Sequence, residues 1–253
     1  MAGARQPAVD AARLVGMTGG VELAWQGCVN ARDLGGMGSI RSGAVVRMEA
    51  PTRLTDAGWA AAWSYGVRTV IDLRNSDEIV PCIAPRSSGM KTLEVPQDPI
   101  GTPFHQHWST VDNLASPLYY PAMLAKYPGP VIAAVRAIAQ AEPGCVAFHC
   151  AGGKDRTGLI ALILLVLAEA TTGEIIDDYL LSYERMERRY AQLGAGDQLS
   201  KVSKLLASHH TTVEASLAST IASLTMPDFL LEGGLSEADL AGLVARLTTA
   251  PGR

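Results

Sequence analysis

The sequence has little cysteine, no excess of positive charge and no long apolar run. Four cysteines in 253 residues (Cys28, Cys82, Cys145 and Cys150) are too few and too scattered for a disulfide framework. None stands in a CxxC pair and no His/Cys cluster has zinc-ligand spacing, so neither a metal nor another cofactor is expected. A net charge of −4 excludes a nucleic-acid partner held by bulk charge, while leaving room for a local basic pocket that takes a small anion. The longest apolar run, Leu159–Ala168, is far too short to cross a bilayer, so no integral membrane segment is expected. Met1–Pro7 lacks the apolar stretch of a signal peptide. A reducing, cytoplasmic setting is the default, with export without a cleavable signal left open. Neither internal repeats nor low-complexity tracts occur.

What is present is an ordinary folding composition. A hydrophobic share of 48% against 18% charged residues can bury one large core, which predicts a single domain over 1–253 with a loose arm over 1–20. Short strands are expected at Val21–Trp25 and Ala44–Arg47, on either side of the glycine-rich Asp33–Gly38. Thr55 caps a helix that Gly66 ends, and the β-branched run Val67–Leu73 reads as a buried strand. Another strand is expected at Thr92–Val95, then a long loop from Pro96 to Pro117 and helices over Leu118–Lys126 and Val131–Ala141. Cys145–His149 is a short strand and Thr157–Ala170 an apolar helix. Thr171 and Glu174 have capping-box spacing and open a further helix to about Tyr190. Helical segments over Leu199–Leu224 and a last one after Ser236 complete the chain. Strands alternating with helices predict an α/β fold around a largely parallel sheet.

The chemistry concentrates in His149-Cys150-Ala151-Gly152-Gly153-Lys154-Asp155-Arg156-Thr157-Gly158. A strand carries Cys150 to the carboxyl edge of the sheet, where open α/β folds place ligands. The next residues, Ala151, Gly152, Gly153, Lys154 and Asp155, can curl with their N–H groups inward as an oxyanion nest at a helix start. Arg156 offers a planar fork for two phosphate oxygens. The same amides, helix end and guanidinium favour thiolate over thiol, which makes Cys150 a nucleophile. Thr157 is placed to hydrogen-bond the sulfur as it leaves. A buried structural cysteine or a rhodanese-type loop accounts for fewer of these features.

This loop resembles the signature of the protein tyrosine phosphatase superfamily, and its HCxxGKDRTG form that of the atypical bacterial tyrosine and lipid phosphatases. Asn30-Ala31-Arg32-Asp33-Leu34-Gly35-Gly36 is similar to that family's NFRDLGG, with Ala31 in place of its aromatic. Val70-Ile71-Asp72-Leu73-Arg74 followed by Glu78, and Asp178–Ser182, match further landmarks. The family has Arg-Ser where this chain has Arg47-Met48, so no role is carried onto that pair. The resemblance implies a mainly parallel sheet flanked by helices and activity on phosphotyrosine, with phosphoinositides as a frequent second substrate. It also implies a helical lid, for which 183–224 is the candidate; simple packing of those helices is the alternative.

The proton donor stays open among Asp155, Asp72, Asp98 and Asp112. Lys154 either draws polyanions at the loop rim or pairs with Asp72 or Asp155. Asn30–Asp33 is expected to support the loop, His149 to buttress the nucleophile, and Cys28 or Cys82 are candidate partners for an oxidised Cys150. His105, His107, His209 and His210 lack neighbouring ligands and read as surface histidines. The competing reading is a catalytically silent phospho-binding module, or an exported interaction factor.

Overall fold

A computed structural model describes residues 20–109, 113–192, 194 and 196–249; the expected loose arm and Asp112 lie outside them. Six strands form one sheet: β1 (Val21–Glu22), β2 (Arg32–Asp33), β3 (Val45–Met48), β4 (Val67–Asp72), β5 (Lys91–Glu94) and β6 (Cys145–His149). Their order is β1-β2-β3-β6-β4-β5. The four strands from β3 to β5 run parallel, while β1 and β2 add an antiparallel edge. β2 is a strand missing from the sequence reading, because two residues beside a glycine-rich turn carry no periodicity. The expected first strand is also shorter, two residues rather than five.

Side chains alternate across β6: Cys145 and Ala147 pack on one face, Val146 and Phe148 on the other. Helix α1 (Asp56–Tyr65) covers the first face with Trp59 and Ala62. Its ends follow the sequence: the Thr55 hydroxyl accepts from Gly58 N–H, and Gly66 closes it in the left-handed region at φ 107°. On the second face lie α3 (Tyr120–Lys126), α4 (Pro128–Ala139), α5 (Asp155–Leu167) and α6 (Thr172–Gln192). Burial on both faces explains the near-continuous apolar character of β4 and β6. Helix α5 is buried from Thr157 through Leu165, as a helix apolar on every side must be.

The stretch expected as a loop over 96–117 contains helix α2 (Pro103–Trp108). Thr102 caps it through His105 N–H and Pro103 occupies its first turn, a start signal masked by the surrounding Pro, His and Asp residues. Helices α7 (Gln198–Ser208) and α8 (Val213–Ala222) put Val202, Leu206, Val213 and Leu217 into the main core. The short α9 (Asp228–Glu232) and the Ser236-capped α10 (Glu237–Thr248) complete the described chain. No helix among the described residues is long and apolar enough to cross a membrane.

Candidate active site

Parallel strands bring their carboxyl ends to one edge, so the residues after β3, β4 and β6 meet there. Cys150 follows β6 directly and is 3% exposed. The turn after it needs glycine at Gly153, where φ is +65° and an added Cβ would lie 2.3 Å from the Met48 carbonyl oxygen. Gly158, one turn into α5, is equally constrained: a Cβ there would meet the Tyr179 ring at 2.8 Å. The two glycines thus let the loop sit against β3 and the helix against α6.

The loop carbonyls are tied down from below. Asn30 Nδ2 donates to the Gly152 and Gly153 oxygens at 3.0 and 3.3 Å. Arg47 Nη2 donates to the Gly153 oxygen at 2.8 Å and the Lys154 oxygen at 3.3 Å. The Ala151 oxygen accepts from Ala50 N–H at 3.0 Å. Carbonyls held outward in this way leave the loop's amide face for an anion. Arg47 and Arg32, both fully buried, share one carboxylate, Asp178 on α6: Arg32 Nε donates to Oδ1 at 2.6 Å and Arg47 Nη1 to Oδ2. Ser182 accepts from both arginines. Burial lowers the Arg32 pKa to about 9, helped by the neighbouring Arg47 charge and opposed by Asp178. Burial alone would raise the Asp178 pKa; the two guanidinium groups outweigh it and hold the carboxyl below its ordinary range.

At the mouth, Arg156 is gripped in a fork by Glu78, Nη2 reaching Oε2 at 2.6 Å and Nη1 reaching Oε1. Nη1 also donates to Asp98 Oδ2 at 3.0 Å. Burial would lower the Arg156 pKa, but the Glu78 hydrogen bonds and the charges of Cys150 and Asp98 more than reverse this. The guanidinium stays charged within electrostatic reach of the sulfur. Asn75 completes the cluster, its N–H donating to Glu78 Oε1 at 3.1 Å and its amide to Asp98 Oδ2 at 2.8 Å.

The anticipated residues divide between loop and support. Asp155 opens α5, and its Oδ1 accepts from the Tyr179 hydroxyl at 2.8 Å. Its other oxygen lies 3.6 Å from Lys154 Nζ. Lys154 is 4% exposed and stacks over the Tyr183 ring at 4.1 Å, so its charge lies inside the loop rather than at an open rim, and Asp155 rather than Asp72 is its neighbour. Burial, followed by the Asp155 charge, raises the Tyr179, Tyr183 and Tyr190 pKa values, which keeps these hydroxyls as donors. Thr157 is fully buried, with no hydrogen-bond partner for its hydroxyl among the described residues.

Asp72 is committed to Arg74, whose Nε and Nη2 reach its two oxygens at 2.9 and 2.7 Å. Burial would raise its pKa, but Arg74 and the His149 ring prevail and the carboxyl titrates low. His149 Nδ1 lies 3.1 Å from the Cys150 carbonyl oxygen, and burial lowers the ring's pKa to about 4. All four cysteines are free. Cys28 donates to Glu49 Oε2 at 2.7 Å, and burial with the Glu49 charge pushes its thiol pKa up; Cys145 is a core thiol. Among the described residues no three His, Cys, Asp or Glu side chains converge as metal ligands, and His209 and His210 are exposed.

Arg47, Asp178 and Glu78 received no role from the sequence. Glu78 carried a signal, since Asn75 and Glu78 have the N-x-x-E spacing of a capped turn. Nothing local marks Arg47, 131 residues from Asp178 in the chain.

The chain is also similar in sequence to known proteins. A 33% identical relative from Nostoc commune, named tyrosine-protein phosphatase, aligns over 159 residues, 59% of this chain and 51% of that protein. A 28% identical protein from Cupriavidus necator, provisionally named for the same activity, aligns over 191 residues, 68% of this chain and 65% of its own. The chain therefore spans between half and two-thirds of these relatives' lengths. The model of the tyrosine phosphatase family matches residues 23–249, nine-tenths of the sequence, and the chain belongs to that family.

Proposed function

We propose that the chain is a cysteine-dependent phosphatase that hydrolyses phosphotyrosine-type monoesters through a phosphocysteine intermediate. The observation that carries this reading is the loop after Cys150, whose carbonyls are tied outward by Asn30 and Arg47 while Glu78 fixes the Arg156 fork. In this mechanism the Cys150 thiolate attacks phosphorus in line, forming S–P as the P–O bond breaks. Loop amides and Arg156 hold the equatorial oxygens, and Asp155 gives its proton to the leaving oxygen. Water then attacks phosphorus, returns a proton to Asp155 and releases inorganic phosphate and the thiolate, toward which the unpartnered Thr157 hydroxyl can turn.

Asp155 is preferred as acid because Asp72 is locked in the Arg74 fork and Asp98 is bonded to Arg156 and Asn75. Phosphoinositides are a second substrate class by family resemblance alone. Wild type should turn over p-nitrophenyl phosphate, with or without chelator, and Cys150→Ser should lose on the order of 10⁴-fold or more. A Cys150→Ser enzyme that still turns over, or a wild type that binds phosphate without turnover, rejects the reading; the second result would mark a binding module.

A further inference from the structure

A pocket of about 470 Å³ lies beside the phosphate loop, lined by Gln26, Val29, Arg53, Thr55, Ile83 and Arg189. That volume is in the usual range for ligand sites. Its position follows from α6, which serves two neighbours with consecutive residues. Tyr190 packs on the loop, its hydroxyl only 2.8 Å from where a Gly152 Cβ would stand. Arg189 faces the pocket and lies 3.5 Å from Glu49, next to the Ala50 N–H that holds the Ala151 oxygen. Ile83, in the segment that follows the Arg156 partner Glu78, also lines it, and its N–H donates to the Thr52 carbonyl oxygen.

The lining is chemically specific. Arg189 is engaged, through Glu49 and the Gly27 oxygen, and Thr55 donates to Gln26 Oε1 at 2.7 Å. Arg53 is exposed, and its side chain makes no hydrogen bond or ion pair among the described residues. Val29 and Ile83 line the same pocket and are 40% and 69% exposed. An unpaired guanidinium flanked by uncovered aliphatics suits a carboxylate on a short hydrocarbon stem, since the apolar walls cover the stem and reduce the water competing for the ion pair.

We propose that this pocket is a second substrate subsite, which takes a glutamate side chain flanking the phosphorylated residue of a peptide. The proposal rests on the phosphatase reading above. An extended peptide advances about 3.3–3.6 Å per residue, so a scan of the flanking positions identifies the residue that reaches the pocket.

The test uses phosphotyrosine peptides with Glu, Gln or Lys scanned through the four positions on either side. Wild type, Arg53→Ala and Arg53→Glu are compared on these peptides, on p-nitrophenyl phosphate and on phosphoinositide vesicles. At one position wild type should favour Glu over Gln about tenfold, through KM. Arg53→Ala should abolish the preference and Arg53→Glu should turn it toward Lys, with p-nitrophenyl phosphate turnover unchanged. Equal rates on Glu and Gln peptides overturn the subsite while leaving the phosphatase reading intact; so does a Glu preference that survives Arg53→Ala. A loss confined to the vesicles overturns it in favour of a lipid headgroup. Absence of p-nitrophenyl phosphate turnover by wild type sinks the phosphatase reading first and the subsite with it.

Discussion

Two ionic clusters flank the loop after Cys150, with opposite charge balances. Beneath it Arg32 and Arg47 share Asp178, two cations on one anion, with side chains no more than 1% exposed. At the mouth one cation, Arg156, meets Glu78 and Asp98, with side chains 12–30% exposed. Charges withdrawn fully from water depend on each other for solvation, whereas partly hydrated ones do not. The lower cluster should therefore govern whether the loop exists, and the upper one what the loop does.

The largest expected effect comes from the lower cluster. Asp178→Asn strands two buried guanidinium groups and should destabilise the fold by about 3–5 kcal/mol in urea unfolding. A variant as stable as wild type would erase the distinction between the clusters. Next, Arg156→Lys keeps a cation but loses the fork, and should lower kcat by about 10²–10³ while leaving the urea midpoint in place. Comparable losses of stability in both variants would make the two clusters one unit.

Acid sharpens the same contrast. The His149 pKa is depressed by burial from 6.5 to about 4, so the unfolded chain takes up a proton before the folded one does. Stability should therefore fall as pH drops from about 6.5 to 4, by up to about 3 kcal/mol, and level off below that for this group. Asp178, also depressed, extends the loss to pH values below its ordinary 3.8. Urea unfolding from pH 7 to 4.5 checks this, and His149→Gln should flatten the upper part of the profile. The smallest effect is expected at the half-hydrated Glu78. Glu78→Gln should cost about tenfold in kcat/KM through a misaligned Arg156, with stability within about 0.5 kcal/mol of wild type.

The parts of the site that were legible in the sequence are contiguous. Cys150 through Gly158 reads as strand, nest and helix start because every device in it is local: β-branched and apolar residues, glycines, then an apolar helix. The capped starts at Thr55, Thr171 and Ser236 were legible for the same reason. Short β2 and helix α2 were not, since two residues hold no period and a Thr-Pro start was lost among irregular neighbours. The supports of the loop were also hidden. Glu78 stands 78 residues from Arg156, and Arg47 106 from the Gly153 oxygen that it holds.

By itself, the sequence determined where the proposed nucleophile, Cys150, sits and which residues form the turn around it, because backbone propensity and hydrophobic periodicity act over a few neighbours. Only the tertiary structure decided which charges pair. The parallel sheet collects strand ends from distant parts of the chain at one edge, and a buried arginine takes whichever carboxylate the packing brings within reach. Asp178 became the shared counter-ion and Glu78 the Arg156 holder through that geometry, which no local pattern encodes.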